Sequence, residues 1–458
     1  MAQKIVIIGG GFSGCLVASH LLKRAAAPLD VTLVEKAAVG RGAAYSTKDP
    51  AHLLNVPAQG MSAFPDDPNH FLRWLGDAQG GDFISRGRFG DYILSILKDA
   101  QDGAAPGVTF RALKDEAVDV RPEGEGLRVV LRSGGELPAK QIVLALGNAA
   151  PSPPYPALAD LGARFIADPW DGGRLSGIEP DAAVMLIGTG LTMVDVAIAL
   201  SRRGHRGPMF AFSRRGLLPQ PHGEGRAVDS FPPAEAAGRT ARGVLRWIRR
   251  QDNWRGAMDA LRPRVQELWF SLSPAERRRF LRHARPYWDS HRHRLPPQAH
   301  AALAALLKSG QLRTFAGRID SLTPAGADIR TNLRLRGGTG IKTLEANWIV
   351  NCAGPESNPA RSRDPLIVNL LARGLARPDA LSLGFDADED GALVRGDGRV
   401  DKRIFTLGTW LKGRLWESVA VPELRGQSQD LAARLLRVSG ERGPAESLAD
   451  APLDKSPN

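Results

Sequence analysis

Apolar residues fall into two kinds of run along this chain. Short unbroken runs such as Lys4–Ile8 and Ala183–Ile187 have the length and β-branching of strands buried on both faces. Each leads at once into glycines and then into apolar residues at helical spacing, so strand, tight turn and helix are expected twice, over "KIVIIGGGFSGCLVASHLL" and "MLIGTGLTMVDVAIAL". Further strand-like runs are "DVTLVEK", "RVVLRS", "QIVLALGN", "ADIRTNLRLR" and "NWIVNCAGP". The Pro-rich "APSPPYPAL" reads as a linker. After it, a helical pattern rich in arginine runs to about residue 312, and the end of the chain reads as a strand, a loop over Gly408–Glu417 and a helix starting near Pro422.

This order predicts an α/β chain with two Rossmann-like dinucleotide-binding domains and a helical insertion. The expected division is a first FAD-binding segment at 1–178, an NAD(P)-binding domain at 179–235 and 313–356, a helical insertion at 236–312 near the substrate, a return to the FAD domain at 357–438, and a polar tail at 439–458.

The first turn spaces Gly9, Gly11 and Gly14 as G-x-G-x-x-G, which lets backbone N–H groups approach a pyrophosphate at a helix N-terminus. Glu35 ends the next strand 21 residues after Gly14, where a carboxylate can accept from both hydroxyls of an adenosine ribose. Phe12 and Ser13 in the turn, Lys36 beside the acid, Gly147 and, in the last loop, Gly408 complete this candidate cofactor set, and the strand ends of "QIVLALGNA" and "NWIVNCAGP" are placed to flank a cofactor. The second turn keeps Gly188 and Gly190 but has Met193 where the third glycine would stand. Counting 26 residues from Gly9 reaches Glu35, and 26 from Gly188 reaches Arg214. Ser213, Arg214 and Arg215 there suit a 2′-phosphate that a carboxylate would repel, which points to NADPH, with NADH as the alternative.

Charge and cysteines narrow the classes. The 458 residues carry a net charge of +12, with basic residues crowded between about Arg239 and Arg318. In "ERRRFLRHARPYWDSHRHRLP", Arg278, Arg282 and Arg285 fall at i, i+4, i+7, which predicts one basic helix face. A solvated face, a pocket for small anions and a polyanion surface all produce such a pattern, nucleic acid being the least favoured. His291 and His293 lie two apart, on different sides of a helix, and no third ligand stands near, so no metal site is expected. Cys15 and Cys352 read as buried structural thiols, with no C-x-x-C pair to receive electrons. No apolar run reaches a membrane span, and a strand beginning at residue 4 precludes a signal peptide, so the expectation is a cytoplasmic protein. Oligomeric state is not legible.

"GGGFSG", "GRGAAYS", "HLLNVPA", "FPDDPNHFLRWL", "ALGN", "IGTGLTMVD", "SRRGLLPQPH", "RHARPYWDSHRHR" and "LWESVAVPELRGQ" together resemble the FAD/NAD(P)-binding flavoprotein monooxygenases that include a bacterial FAD-dependent urate hydroxylase and an aspartate N-monooxygenase. The resemblance implies an NAD(P)H-consuming monooxygenase that hydroxylates a small anionic substrate, urate first and aspartate second, with dioxygen through a C4a-hydroperoxyflavin. It would lay "HLLNVPA" along the isoalloxazine with Asn55 in contact, and leave Arg285, Arg292 and Arg294 to clamp the anion and His291 to move a proton. The Baeyer–Villiger histidine fingerprint is not evident. Two other classes share the nucleotide motifs: a reductase passing electrons to a partner or quinone, and a non-enzymatic flavin redox sensor.

Overall fold

The computed structural model describes residues 2–170, 173–225, 228, 240–338 and 340–437. The polar tail expected at 439–458 lies outside them, as does most of 226–239.

The first sheet has six strands in the order Ala392–Val394, Val400–Thr406, Gln141–Leu144, Gln3–Ile8, Leu29–Glu35 and Val108–Lys114. All its pairings are parallel except the outer one, between Ala392–Val394 and Val400–Thr406. Parallel strands need cover on both faces, which is why Lys4–Ile8 reads as an unbroken run. Ile5 and Ile7 pack beneath the helices Phe12–Arg24, Arg86–Asp102 and Val421–Arg437, while Val6 and Ile8 face a three-stranded antiparallel sheet, Ala117–Glu123, Gly126–Leu131 and Glu136–Ala139. The run "RVVLRS" therefore belongs to this cover and not to the nucleotide sheet.

The second sheet has seven strands in the order Ile341–Ala346, Asp328–Leu335, Leu312–Ala325, Met209–Ser213, Val184–Ile187, Trp348–Asn351 and Phe165–Ile166. Phe165–Ile166 pairs with Ile349–Val350, so the second unit begins earlier than the expected 179. The helix Pro297–Lys308 buries Leu303 and Leu306 in the same core as the helix Leu191–Arg202, and so covers this sheet instead of joining the inserted helices.

The inserted helices Ala241–Arg249, Trp254–Leu261, Val265–Ser271, Pro274–Arg279 and Arg285–Arg292 gather around Leu261, Trp269, Trp288 and Trp416. The single basic helix face expected through Arg278, Arg282 and Arg285 does not form as drawn. A π-helical turn, Phe280–Ala284, carries Arg282 and separates the helices that carry Arg278 and Arg285. Pro286 is the physical reason: it has no N–H for the carbonyl of Arg282 four residues back, and its ring displaces that carbonyl. The carbonyl accepts instead from Arg215 Nη2 at 3.3 Å.

Candidate functional site

The two glycine turns are built alike. Gly9 has φ +106°, its N–H donates to the Val34 carbonyl, and a Cβ on it would lie 2.2 Å from the Ala145 carbonyl oxygen. Gly188 has φ +117°, its N–H donates to the Phe212 carbonyl, and a Cβ would lie 2.4 Å from the Cys352 carbonyl oxygen. Ala145 and Cys352 follow the strands Gln141–Leu144 and Trp348–Asn351, so the echo between "QIVLALGNA" and "NWIVNCAGP" is structural.

The residues at the first turn fit an adenine dinucleotide such as FAD. A Cβ on Gly14 would sit 1.9 Å from the Gly9 carbonyl oxygen, so glycine is required for the helix to start this close to the strand. Glu35 accepts from the Gly10 N–H at 2.6 Å and the Ala37 N–H at 2.8 Å, which fixes its carboxylate and leaves a lone pair on each oxygen for ribose hydroxyls. A cavity of about 430 Å³ opens beside it, between Ala37, Arg41, Thr47, Ser85 and Asp91. Gly11 caps the first helix and Ser13 is half-buried at its start. A side chain on Gly408 would collide with Leu424 and point toward the Ser13 hydroxyl, so the end of Val400–Thr406 and the first turn share one space. Gly147, at φ +63°, has open space where its Cβ would be. Phe12 departs from expectation: its ring is in the core against Phe89, leaving only its backbone to face a ligand. Lys36 is exposed and lies 4.0 Å from Glu116.

The second turn is more open. Gly190 has ordinary backbone angles and a Cβ there would meet nothing within 4 Å, so no protein contact demands glycine; a closely approaching phosphate would. Met193 is fully buried where the third glycine was missing. Ser213 and Arg215 differ from expectation. The Thr189 hydroxyl lies 2.6 Å from the Leu217 carbonyl, which can only accept, so the Ser213 hydroxyl donates to Thr189 at 2.8 Å while accepting from the Gly216 N–H. Ser213 thus shapes the loop and has no proton left for a phosphate. Arg215 lies over the Tyr287 ring, 5.1 Å to the centroid, and serves the Arg282 carbonyl. Arg214 is exposed and has no hydrogen bond or ion pair among the described residues, which leaves it for a 2′-phosphate.

Two cross-links join the two units. Arg86, on the helix Arg86–Asp102, pairs at 2.8 Å with Asp195 of the helix Leu191–Arg202, both largely buried. His222 Nε2 lies 2.9 Å from the Asn55 carbonyl, so it is the donor, and burial holds this imidazole below its usual pKa. The Asn55 carbonyl therefore ties two regions together, and its side chain remains the expected contact.

The four substrate candidates separate. Arg294 is a brace: buried, it pairs with Asp259 at 2.9 Å and donates to the Arg255 carbonyl. His291 Nδ1 lies 2.8 Å from its own helix at the Tyr287 carbonyl, with its ring edge-on to Trp254. Arg285 pairs with Asp289 at 3.3 Å and lies near the Trp416 ring. Arg292 alone meets a buried charged group, Glu417, at 3.5 Å, and its Nε makes no hydrogen bond.

Glu417 was not anticipated as a site residue. It has φ +64°, strained for a non-glycine, and is 8% exposed. Burial would raise its pKa, but the His293 imidazole 3.7 Å away, Arg292 and the Trp288 indole N–H at 2.7 Å outweigh this and hold it down at about 2. Lys412, from the same loop, is half-buried, and its side chain has no hydrogen-bond or ion-pair partner among the described residues. Burial and then Arg285 lower its pKa, while Asp289 and Glu417 oppose the shift. Both residues lie between Gly408 and the helix Val421–Arg437, whose Glu423 pairs with Arg262 at 3.2 Å. Among the described residues no cluster of three or more His, Cys, Asp or Glu is arranged to hold a metal, and no helix is long and apolar enough to cross a membrane.

Residues 6–149 match the family model described as FAD-NAD(P)-binding. That segment carries the whole first turn, Glu35 and Gly147, and FAD-binding is the cofactor chemistry its geometry fits. Among curated proteins no sequence matches the chain. Among solved structures, L-lysine 6-monooxygenase from Pseudomonas syringae superposes with a TM-score of 0.67 at 18% identity, over 96% of this chain and 100% of that one. An ornithine N-hydroxylase from Kutzneria sp. 744, with reduced FAD, NADP+ and L-ornithine, gives 0.60 at 16% identity over 96% and 100%. Thioredoxin reductase from Lactococcus lactis gives 0.53 at 12% identity over 95% and 99%. The chain has the two-dinucleotide flavoprotein fold of all three.

Proposed function

We propose that the protein is an FAD-dependent monooxygenase that consumes NADPH and hydroxylates a small amino acid or related anion. The carrying observation is the pair of glycine turns, one with Glu35 fixed beside it and one open, with Arg214 lacking a side-chain partner among the described residues, in two units tied by Arg86–Asp195. Bound FAD supplies hydride acceptance and oxygen activation; the chain supplies position and exclusion of water.

Electrons arriving on the flavin have no dithiol to leave by. Cys15 and Cys352 are both buried and carry no disulfide; burial pushes the Cys15 thiol up to about 12 and Cys352 upward as well. This disfavours a disulfide reductase, although the fold is shared with one.

Lys412 is the group suited to a substrate carboxylate, its ammonium having no hydrogen-bond or ion-pair partner among the described residues, while Arg292 already faces Glu417. Aspartate is the favoured substrate over urate, because a lysine monooxygenase and an ornithine N-hydroxylase share the fold. The test follows NADPH oxidation, oxygen uptake and peroxide release together, with aspartate, ornithine, lysine and urate in turn. The proposed substrate lowers peroxide released per NADPH and yields a product heavier by one oxygen atom. If all four leave the peroxide yield unchanged while an added quinone accelerates NADPH oxidation, the chain is a reductase.

A further inference from the structure

A cavity of about 630 Å³ lies inside the inserted helices, away from both glycine turns. Its inner wall is aromatic and aliphatic: Met258, Trp269, Trp288 and Trp416 at depth, Val244 and Ile248 toward the outside. Protein interiors close-pack and leave few voids larger than a water molecule, whereas ligand pockets of roughly 300–1,000 Å³ with apolar walls and a few polar groups are usual. The charged side chains that line the cavity are all arginines, Arg242, Arg249 and Arg279, and no acidic side chain lines it. Arg279 is paired with Glu276, but Arg242 and Arg249 have no hydrogen bond or ion pair among the described residues. They lie seven apart on the helix Ala241–Arg249, two turns along one side, and flank the apolar positions Val244, Leu245 and Ile248 that face the cavity.

We infer that this cavity is a second small-molecule site, distinct from the nucleotide cleft, for an aromatic anion whose ring enters between the tryptophans and whose acidic group stays at the mouth beside Arg242 and Arg249. Stacked and edge-on partners are already arranged inside: Trp269 lies parallel to Trp416 at 5.1 Å, and Phe280 meets Trp288 and Trp416 edge-on. A flat ring can join this array. A cation would meet two unpaired guanidinium groups and be repelled.

The experiment titrates the FAD-loaded protein with 2-naphthoate, 2-naphthol and 2-naphthylmethylamine by calorimetry, with tryptophan fluorescence as a second readout. Naphthoate binds best and the amine worst, and saturating NADP+ does not displace naphthoate. Val244→Trp and, independently, Ala284→Trp fill the cavity and abolish binding while FAD content, melting temperature and basal NADPH oxidation stay at the wild-type level. Either variant alone suffices if the other fails to fold. Replacing Arg242 and Arg249 together by Gln weakens naphthoate by about twofold to fivefold, the scale of exposed charge pairs, and leaves naphthol unchanged. Naphthoate binding that survives in a folded cavity-filling variant, displacement by NADP+, or preference for the amine overturns the inference, as does the absence of binding by all three probes.

Discussion

The two glycine turns use the same backbone device and differ in what surrounds it. In the first, Gly9 and Gly14 are dictated by carbonyl oxygens of the chain itself, and the acid that would hold a ribose is already fixed by two backbone N–H groups. In the second, Gly188 is dictated in the same way, but Gly190 faces open space, the third glycine is a buried methionine, and the basic side chain at the position of the acid is exposed with no partner among the described residues. A preorganised, enclosed site suits a cofactor that stays; an open one with an exposed charge suits a nucleotide that arrives and leaves. On that difference rests the proposal that the first turn serves the flavin and the second the nicotinamide nucleotide.

The largest effect should come from putting the same lesion into each turn. Gly14→Ala places a methyl 1.9 Å from the Gly9 carbonyl oxygen, and the backbone must move by a distance that overpacked cores answer with about 1–3 kcal/mol of lost stability. The protein should purify without bound FAD, read from its visible absorbance, and melt earlier. Gly188→Ala, which clashes with the Cys352 carbonyl, should keep its yellow colour and lose NADPH oxidation. Loss of FAD from both variants alike would erase the distinction between the turns.

Arg214→Ala sharpens the comparison at the second site. A charge-assisted contact to a 2′-phosphate is worth roughly 1.5–3 kcal/mol, so kcat/KM for NADPH should fall about tenfold to a hundredfold with NADH nearly unaffected. Arg215 is not free to compensate, since its guanidinium is taken by Tyr287 and the Arg282 carbonyl. Equal losses with both nucleotides would mean that Arg214 shapes the loop and does not read the phosphate.

These residues also mark how far the sequence could be read. Strand, turn and helix were legible at both sites because buried parallel strands and glycine turns are local patterns, and the 26-residue count located Arg214 without a structure. What failed depended on contacts distant along the chain. Ser213 and Arg215 looked equivalent to Arg214, yet one is consumed by Thr189 and the other by a carbonyl that Pro286 orphaned 67 residues later. Pro286 itself was visible, and its effect on the arginine face through 278–285 could have been foreseen from its missing N–H. Glu417 stood in a quoted motif, but nothing in its spacing announces a strained, buried carboxylate whose partners are Trp288, Arg292 and His293, more than a hundred residues upstream. The basic segment likewise offered four equal candidates, and only their partners separated the brace Arg294, held by Asp259 and the Arg255 carbonyl, from Arg292, which faces Glu417.

Gly190→Ala tests the open side of the second turn with a smaller change. Its methyl meets no protein atom within 4 Å, so melting temperature and FAD content should match wild type. If a phosphate lies against that position, kcat/KM for NADPH should drop by about threefold to tenfold, equivalent to one weakened hydrogen bond. Unchanged NADPH kinetics would mean that the nucleotide does not approach the turn there.

The smallest expected effect concerns the far ends of the two turn helices, each of which has a buried histidine. His20 lies on the helix Phe12–Arg24, 3% exposed, with Nε2 unpartnered among the described residues; His205 follows the helix Leu191–Arg202 and is 6% exposed. Burial lowers both pKa values, His20 to about 4 with help from Arg24 and Lys23. A histidine whose folded pKa lies below its unfolded value of 6.5 favours folding when neutral. Its contribution is therefore complete above about pH 6.5 and is lost as pH falls toward 4. Melting temperature should decline over that window, and His20→Gln, which cannot take up a proton, should flatten the decline without altering stability at pH 8 in the same proportion. With FAD bound, visible absorbance reports the first unit, so its release on acidification should move to lower pH in His20→Gln and stay in place in His205→Gln. Acid profiles that are superimposable for wild type and His20→Gln would show that His20 is already charged in the folded protein, against its burial beneath Phe64.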